Sequence, residues 1–238
     1  GQWVMTKHGT RVGLALREDP KDNEHLVRLI AAGAATAGKP FMHRSSQPGV
    51  DGCTWISTAE AVVTNSMKVV FCDINLDDYT INIEDLKKKI TKKTKCIIPV
   101  HLYGNPADMF KIKKIAKEKK IKIIEDCAQA HGSKIYNKHV GTFGDIGTFS
   151  FFPGKNIGAF GDAGCIITNN KKIYNYCRRI SNHGALNKYD HKHSGRNSRM
   201  DVFNATVLIE KIKKYKIVIK KRNLIAKYYN DSLKKNKS

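Results

Sequence analysis

Apolar and polar residues alternate along this chain in two rhythms, and the switches between them mark out its elements. Beyond Thr54, short apolar runs are separated by segments whose apolar residues recur every three or four positions. Val69-Val70-Phe71-Cys72-Asp73-Ile74 reads as a buried strand and residues 83–90 as a short helix. The stretch from Cys96 to Tyr103 reads as the next strand, with Pro99 marking an irregularity or a sheet edge. Over residues 109–120, Met109, Ile112, Ile115 and Ala116 share one face opposite lysines, which predicts an amphipathic helix. Strands are predicted over 122–126, 147–152 and 164–168, and a helix over 171–181. A long helix is predicted over 202–235, with Val202, Ala205, Leu208, Ile209, Ile212, Tyr215 and Ile219 spaced for one buried stripe. Strand, helix and strand joined by short connections imply a largely parallel sheet covered by helices, an α/β fold.

Residues 1–53 do not share this rhythm. Asn23 can cap a helix running from Glu24 through Leu26, Leu29 and Ile30 to Ala37, stopped by Gly38. No strand is read elsewhere in the segment. Composition changes at the same place: residues 1–53 hold four of the nine arginines but only three of the 34 lysines and one isoleucine, Ile30. The other 185 residues hold 31 lysines and 24 isoleucines. The break predicts that residues 1–53 are an atypical segment, wholly or partly of different origin from the rest of the chain.

Charge and composition narrow the function. The 238 residues carry 43 Lys and Arg against 21 Asp and Glu, a net charge of +22, which raises a nucleic-acid reading. The lysines, however, fall wherever a helix needs a polar surface, as at Lys87-Lys88-Lys89 and Lys111, Lys113 and Lys114. A general Lys and Ile bias explains them better than a binding patch, and no nucleic-acid motif accompanies them. Hydrophobic content of 41% with 6 prolines is ordinary globular composition. No apolar run approaches the roughly 18 residues of a membrane span, and residues 1–20 lack a signal-peptide pattern, so a cytoplasmic protein is expected. The six cysteines are scattered without a Cys-x-x-Cys pair and read as reduced, buried thiols. His131, His183, His191 and His193 lack a carboxylate or cysteine at zinc spacing, so no metal is expected.

In a parallel α/β sheet, ligands gather at the carboxyl ends of the strands. Four such places stand out. Glu125-Asp126-Cys127-Ala128-Gln129-Ala130-His131-Gly132 ends a buried strand with carboxylates and polar side chains. Thr148-Phe149-Ser150-Phe151-Phe152-Pro153-Gly154-Lys155-Asn156 puts a lysine in an aromatic loop. Gly158, Gly161 and Gly164 lead into a strand, and Gly195-Arg196-Asn197-Ser198-Arg199-Met200-Asp201 precedes the last helix. A desolvated lysine beside a buried carboxylate suits carbonyl chemistry: the amine can form a Schiff base, and the carboxylate can keep a pyridine nitrogen protonated. Gly154-Lys155 is not a Walker A loop, because Phe149 stands where its first glycine belongs and Asn156 follows the lysine.

Together with Thr54-Trp55-Ile56-Ser57-Thr58-Ala59, Pro99-Val100-His101-Leu102-Tyr103-Gly104 and Gly161-Asp162-Ala163-Gly164, these motifs resemble the DegT/DnrJ/StrS aminotransferases over Thr54 to Leu233. The family comprises pyridoxal-phosphate enzymes of the aspartate-aminotransferase fold that mostly aminate nucleotide-linked keto-sugars. The resemblance implies a fold type I large domain, a mostly parallel mixed sheet flanked by helices. It implies that Lys155 holds the cofactor and moves the proton, that Asp126 pairs with the pyridine nitrogen, and that Gln129 lies near the phenolic oxygen. Trp55 would stack on the ring, Ser150 would bind the phosphate, and Asn197 would reach the phosphate in the partner subunit of a homodimer.

The expected layout is therefore an atypical segment over 1–53, a cofactor-binding domain over 54–200, and a helix over 201–238 leading toward a small carboxy-terminal domain that this sequence largely lacks. Gly9-Thr10 is the nearest match to the phosphate-binding pair that opens family members. The expected activity is transfer of an amino group from an amino acid such as glutamate to a nucleotide-linked keto-sugar. A catalytically incomplete relative, a sugar dehydratase and, remotely, a basic nucleic-acid-binding protein are the alternatives. Lysine at position 155 argues against the dehydratases that carry histidine there.

Overall fold

The structure, a computed structural model, describes residues 2–6, 40–44, 51–63, 65 and 67–234, and of residues 2–6, 40–44 and 51–56 the main chain only. The helix expected from Asn23 to Gly38 and the Gly9-Thr10 pair lie outside the described residues.

The core strands form where isoleucine, phenylalanine and cysteine supply the two buried faces of the sheet. β1 (Gln2–Thr6), β2 (Pro40–Arg44) and β3 (Asp51–Trp55) precede helix α1 (Ile56–Val63). Then come α2 (Ile83–Lys89), β4 (Cys96–Ile97), α3 (Met109–Lys119), β5 (Lys122–Asp126), β6 (Lys134–Ile135), β7 (Lys138–His139), β8 (Ile146–Ser150), β9 (Gly164–Thr168), α4 (Lys171–Ile180) and α5 (Val202–Lys234). The central sheet runs β1-β9-β8-β5-β4. β4, β5 and β8 are mutually parallel, and β9 is antiparallel to both β8 and β1. This is the mixed, helix-flanked sheet expected for fold type I.

Neighbouring residues of β5 serve opposite faces. Ile124 packs with Ile146 and Ile166 against Ile173, Tyr176, Cys177 and Ile180 of α4 and Ala61 of α1. Ile123 packs the other way, with Ile97 and with Ile112, Ile115 and Ala116 of α3. A third cluster joins Phe149, Phe151 and Cys165 to Met200 and to Leu208 of α5. Ile112, Ile146 and Ile166 are at most 2% exposed, and burying each contributes roughly 2–3 kcal/mol. Side-chain caps start the helices: Asn82 accepts from Asp85 N–H, Asp108 from Lys111 N–H, and Asn170 from Lys172 and Ile173 N–H.

Four expectations are corrected. Residues 69–74 join no strand ladder; only Ile74 makes a bridge, to Ile81, and Val70 is 58% exposed. An apolar run becomes a strand only where a neighbour offers a ladder, and β4 shares its ladder with β5 alone. The strand from Cys96 stops at Ile97, because Pro99 cannot donate and Tyr103 turns to a left-handed φ of 56°. Val100 still bridges to Asp126, so the chain follows β5 to the site. The stripe on α5 is buried only at Leu208, with Ala205, Tyr215 and Ile219 half-buried and Val202, Ile209 and Ile212 exposed. A helix of 33 residues is about 50 Å long, longer than the surface it crosses. In the first 53 residues, where the pattern predicts no strand, β1 pairs with β9 and β2 with β3.

Cys127, Cys165 and Cys177 are buried free thiols, Cys72 and Cys96 are free but only half-buried, and the Cys53 side chain lies outside the described residues. Among the described residues, no helix is long and apolar enough to cross a membrane.

Candidate active site

β5 ends in two adjacent carboxylates that point to opposite faces. Glu125 is fully buried and all four of its acceptor positions are filled. Oε1 accepts from Phe143 N–H at 2.7 Å and Gly144 N–H at 2.6 Å. Oε2 accepts from Gly141 N–H at 2.7 Å and lies 3.1 Å from His101 Nε2. His101 Nδ1 accepts from Ala107 N–H at 3.0 Å; the ring proton therefore sits on Nε2 and is donated to Glu125. His101, Glu125 and Cys127 stand within 4.8 Å of one another. With the imidazole and carboxylate positions taken by hydrogen bonds and burial holding the Cys127 thiol well above its ordinary pKa, the cluster is a structural clasp rather than a metal centre.

Asp126 is treated differently. Its Oδ1 accepts from Ala128 N–H at 3.0 Å, and its Oδ2 accepts from the Thr58 hydroxyl at 2.7 Å. Among the described residues, two of its four acceptor positions stay open. Lys155 lies close enough to feel this carboxylate. Burial lowers the pKa of its amine, and the Asp126 charge opposes that shift. A half-buried lysine tuned downward is a better nucleophile near neutral pH than the solvated lysines elsewhere.

Gln129 and Asn156 knit these loops together. Gln129 Oε1 accepts from Tyr103 N–H at 2.9 Å, so its Nε2 hydrogens are left as the available donors. Asn156 Nδ2 reaches the Gln129 carbonyl at 3.5 Å, while its Oδ1 accepts from Arg222 on α5 at 2.9 Å. α5 also holds the 131–132 turn, with Tyr215 donating to the His131 carbonyl at 2.8 Å. Gly132 suits this contact: its φ is +79°, and a Cβ there would meet Ile219 Cδ1 at 2.6 Å.

Ser150, 6% exposed at the end of β8, accepts from Phe152 N–H at 3.3 Å and keeps its hydroxyl proton for another acceptor. His131 sits between Phe149 and Phe151, with ring centroids 5.6 and 5.5 Å away, and neither nitrogen makes a well-formed hydrogen bond among the described residues. Burial lowers its pKa to about 4; the Ser150 backbone partly opposes this and the Lys155 charge adds to it.

The structure thus brings Asp126, Gln129 and Lys155 together, with Ser150 on the adjoining strand. Asn197 stands apart and exposed, accepting from Arg199 Nε at 2.7 Å. The Trp55 side chain lies outside the described residues. Thr58, Tyr103, Asn156 and Arg222 carry no individual role in the sequence reading. Thr58 lies inside a motif, but its partner is 68 residues away. A separate apolar cavity of about 520 Å³ between residues 67–72 and β4 is lined by Thr58 but by none of Asp126, Gln129, Ser150 and Lys155.

Residues 50–238 match the DegT/DnrJ/EryC1/StrS aminotransferase family. Over 155 residues the chain is 46% identical to the UDP-N-acetyl-3-dehydro-alpha-D-glucosamine 3-aminotransferase of Acidithiobacillus ferrooxidans, covering 65% of this chain and 42% of that protein. A DegT/DnrJ/EryC1/StrS aminotransferase from Brucella abortus is similar in structure, with a TM-score of 0.71 and 36% identity over 76% of this chain and 51% of that one. An E. coli GDP-4-keto-6-deoxy-D-mannose-3-dehydratase with bound hydrated PLP is similar with a TM-score of 0.70 and 30% identity, covering 77% and 52%. The chain spans about half the length of these proteins. By the extent of the family match and by the order of its motifs along the sheet, it belongs to the DegT/DnrJ/EryC1/StrS aminotransferase family.

Proposed function

We propose that this chain is the cofactor-binding part of a pyridoxal-phosphate-dependent aminotransferase that moves an amino group from an amino acid, glutamate being the expected donor, to a nucleotide-linked keto-sugar. The observation that carries the reading is Asp126, an anchored carboxylate with open acceptor positions, beside the half-buried amine of Lys155.

The residues present fit the cofactor. Asp126 would accept from a protonated pyridine nitrogen, Gln129 would donate through Nε2 to an oxygen on the ring, and Ser150 would donate its hydroxyl proton to the phosphate. When bound, pyridoxal phosphate supplies an aldehyde carbon and a ring that takes up an electron pair from the substrate carbon. The amine of Lys155 would hold the cofactor through its aldehyde carbon and, when free, would serve as the base that moves a proton at the substrate carbon. Its lowered pKa leaves more of it neutral near pH 7 than an ordinary lysine would have.

In this reading residues 54–200 form the cofactor domain and 201–238 a helix leading from it, with Trp55 stacking on the ring. Exposed Asn197 would serve the partner subunit's site in a homodimer. The protein acts in the cytoplasm, without nucleic acid or membrane as a partner.

The test is to add pyridoxal phosphate, reduce with borohydride and map the modified peptide. Label should sit on Lys155, vanish in Lys155→Ala and persist in Lys113→Ala. Absence of label from the unsubstituted protein overturns the reading.

A further inference from the structure

Thr58 stands near the start of α1, on the same face of the sheet as Ile124 and Ala61. A threonine in a helix ordinarily donates its hydroxyl to the carbonyl three or four residues back. Thr58 donates instead across 68 residues, to Asp126 Oδ2 at 2.7 Å. Ala128 N–H holds the other oxygen, Oδ1, at 3.0 Å. A carboxylate fixed at one oxygen can still swing about its Cβ–Cγ bond, whereas one fixed at both has its plane set. The two open acceptor positions then have fixed directions.

Resting on the function proposed above, we infer that Thr58 is a positioning residue: its hydroxyl fixes the Asp126 carboxylate plane, so that an open position meets the pyridine nitrogen in line. Ala128 cannot do this alone, because its N–H belongs to the turn after β5 and restrains only Oδ1. Glu125 shows what complete anchoring looks like one residue away: four donors fill it and leave no position for a ligand. Thr58 supplies orientation to Asp126 without filling it.

Thr58→Val keeps shape and volume and removes the donor, and Thr58→Ser restores it. Three measurements on the full chain test the inference. Crystal structures without added cofactor should show the Asp126 carboxylate rotated in Thr58→Val and unrotated in Thr58→Ser. Titration with pyridoxal phosphate should give a Kd raised roughly 10-fold in Thr58→Val, the effect of one lost hydrogen bond to a charged group. Thr58→Ser should recover most of it. The pH profile of the bound cofactor's absorbance should shift in Thr58→Val alone, which a merely structural loss would not produce. An unrotated carboxylate in Thr58→Val, or unchanged affinity and pH profile, overturns the inference. Failure of the unsubstituted protein to bind pyridoxal phosphate is a different result, and it overturns the function on which the inference rests.

Discussion

The two sides of β5 at its carboxyl end, one occupied by Glu125 and the other by Asp126, differ in how far their polar groups are satisfied. On the Glu125 side, every acceptor position of the carboxylate is filled by Gly141, Phe143, Gly144 and His101. On the Asp126 side and along the neighbouring strand, groups keep spare capacity: two positions on Asp126, the Nε2 hydrogens of Gln129, the hydroxyl proton of Ser150. Asp126 and Gln129 are half-buried, so solvent can reach their open positions, whereas the spare proton of the buried Ser150 hydroxyl costs stability unless a ligand completes it. The contrast separates a clasp that holds the fold from a surface that waits for a ligand.

The sharpest way to break the contrast is to remove one charge on each side. Glu125→Gln would turn an amide NH₂ toward main-chain N–H donors and should cost about 3–5 kcal/mol, a large share of a domain's stability. Asp126→Asn keeps an acceptor for one anchor and a donor for the threonine oxygen, so it should cost less than about 1 kcal/mol while strongly reducing pyridoxal-phosphate labelling. Urea unfolding of both variants measures the difference, and equal losses would end the distinction.

A second prediction concerns pH. Burial lowers the His131 pKa from 6.5 to about 4, so the folded protein holds this ring neutral. Above pH 6.5 neither state carries the proton. Between 6.5 and 4 only the unfolded chain takes it up, and stability falls as pH falls. Below 4 both states are protonated and the loss stops. The full drop is about 3 kcal/mol. His131→Phe should remove it, so the stability difference between variant and parent should grow in the variant's favour from pH 7 to pH 4. A constant difference across that range would show that the ring is not held neutral.

The smallest effect is expected on α5. Arg222→Ala removes a partly exposed hydrogen bond to Asn156 Oδ1 and should cost about 0.5–1 kcal/mol. Its value lies in the readout: protease cleavage between Pro153 and Gly158 should rise if the helix steadies the Lys155 loop, and stay level if it does not.

Much of the fold was legible because its core elements carry dense local signals. Lys122 to Asp126 and Gly164 to Thr168 are strands at the positions their apolar runs predict, and α3 buries the four residues its spacing assigns. Residues 69–74 misled because a run of Val, Val and Phe encodes a willingness to pair but not the presence of a neighbour. The α5 stripe misled likewise, since periodicity reports a face and not what lies opposite it. Within the site, Asp126, Gln129, Ser150 and Lys155 could be singled out from motifs at strand ends. Thr58 and Arg222 could not, because their partners lie 68 and 66 residues away.

The sequence by itself determined the family, the main helices and strands from Met109 onward, and the residue types that carbonyl chemistry needs. Those depend on local pattern and on motifs read in order. Only the tertiary structure decided that Glu125 is closed while Asp126 is open, and that burial tunes Lys155 and His131 downward. Hydrogen-bond saturation and desolvation are properties of what the fold gathers around a side chain, and no spacing along the chain records them.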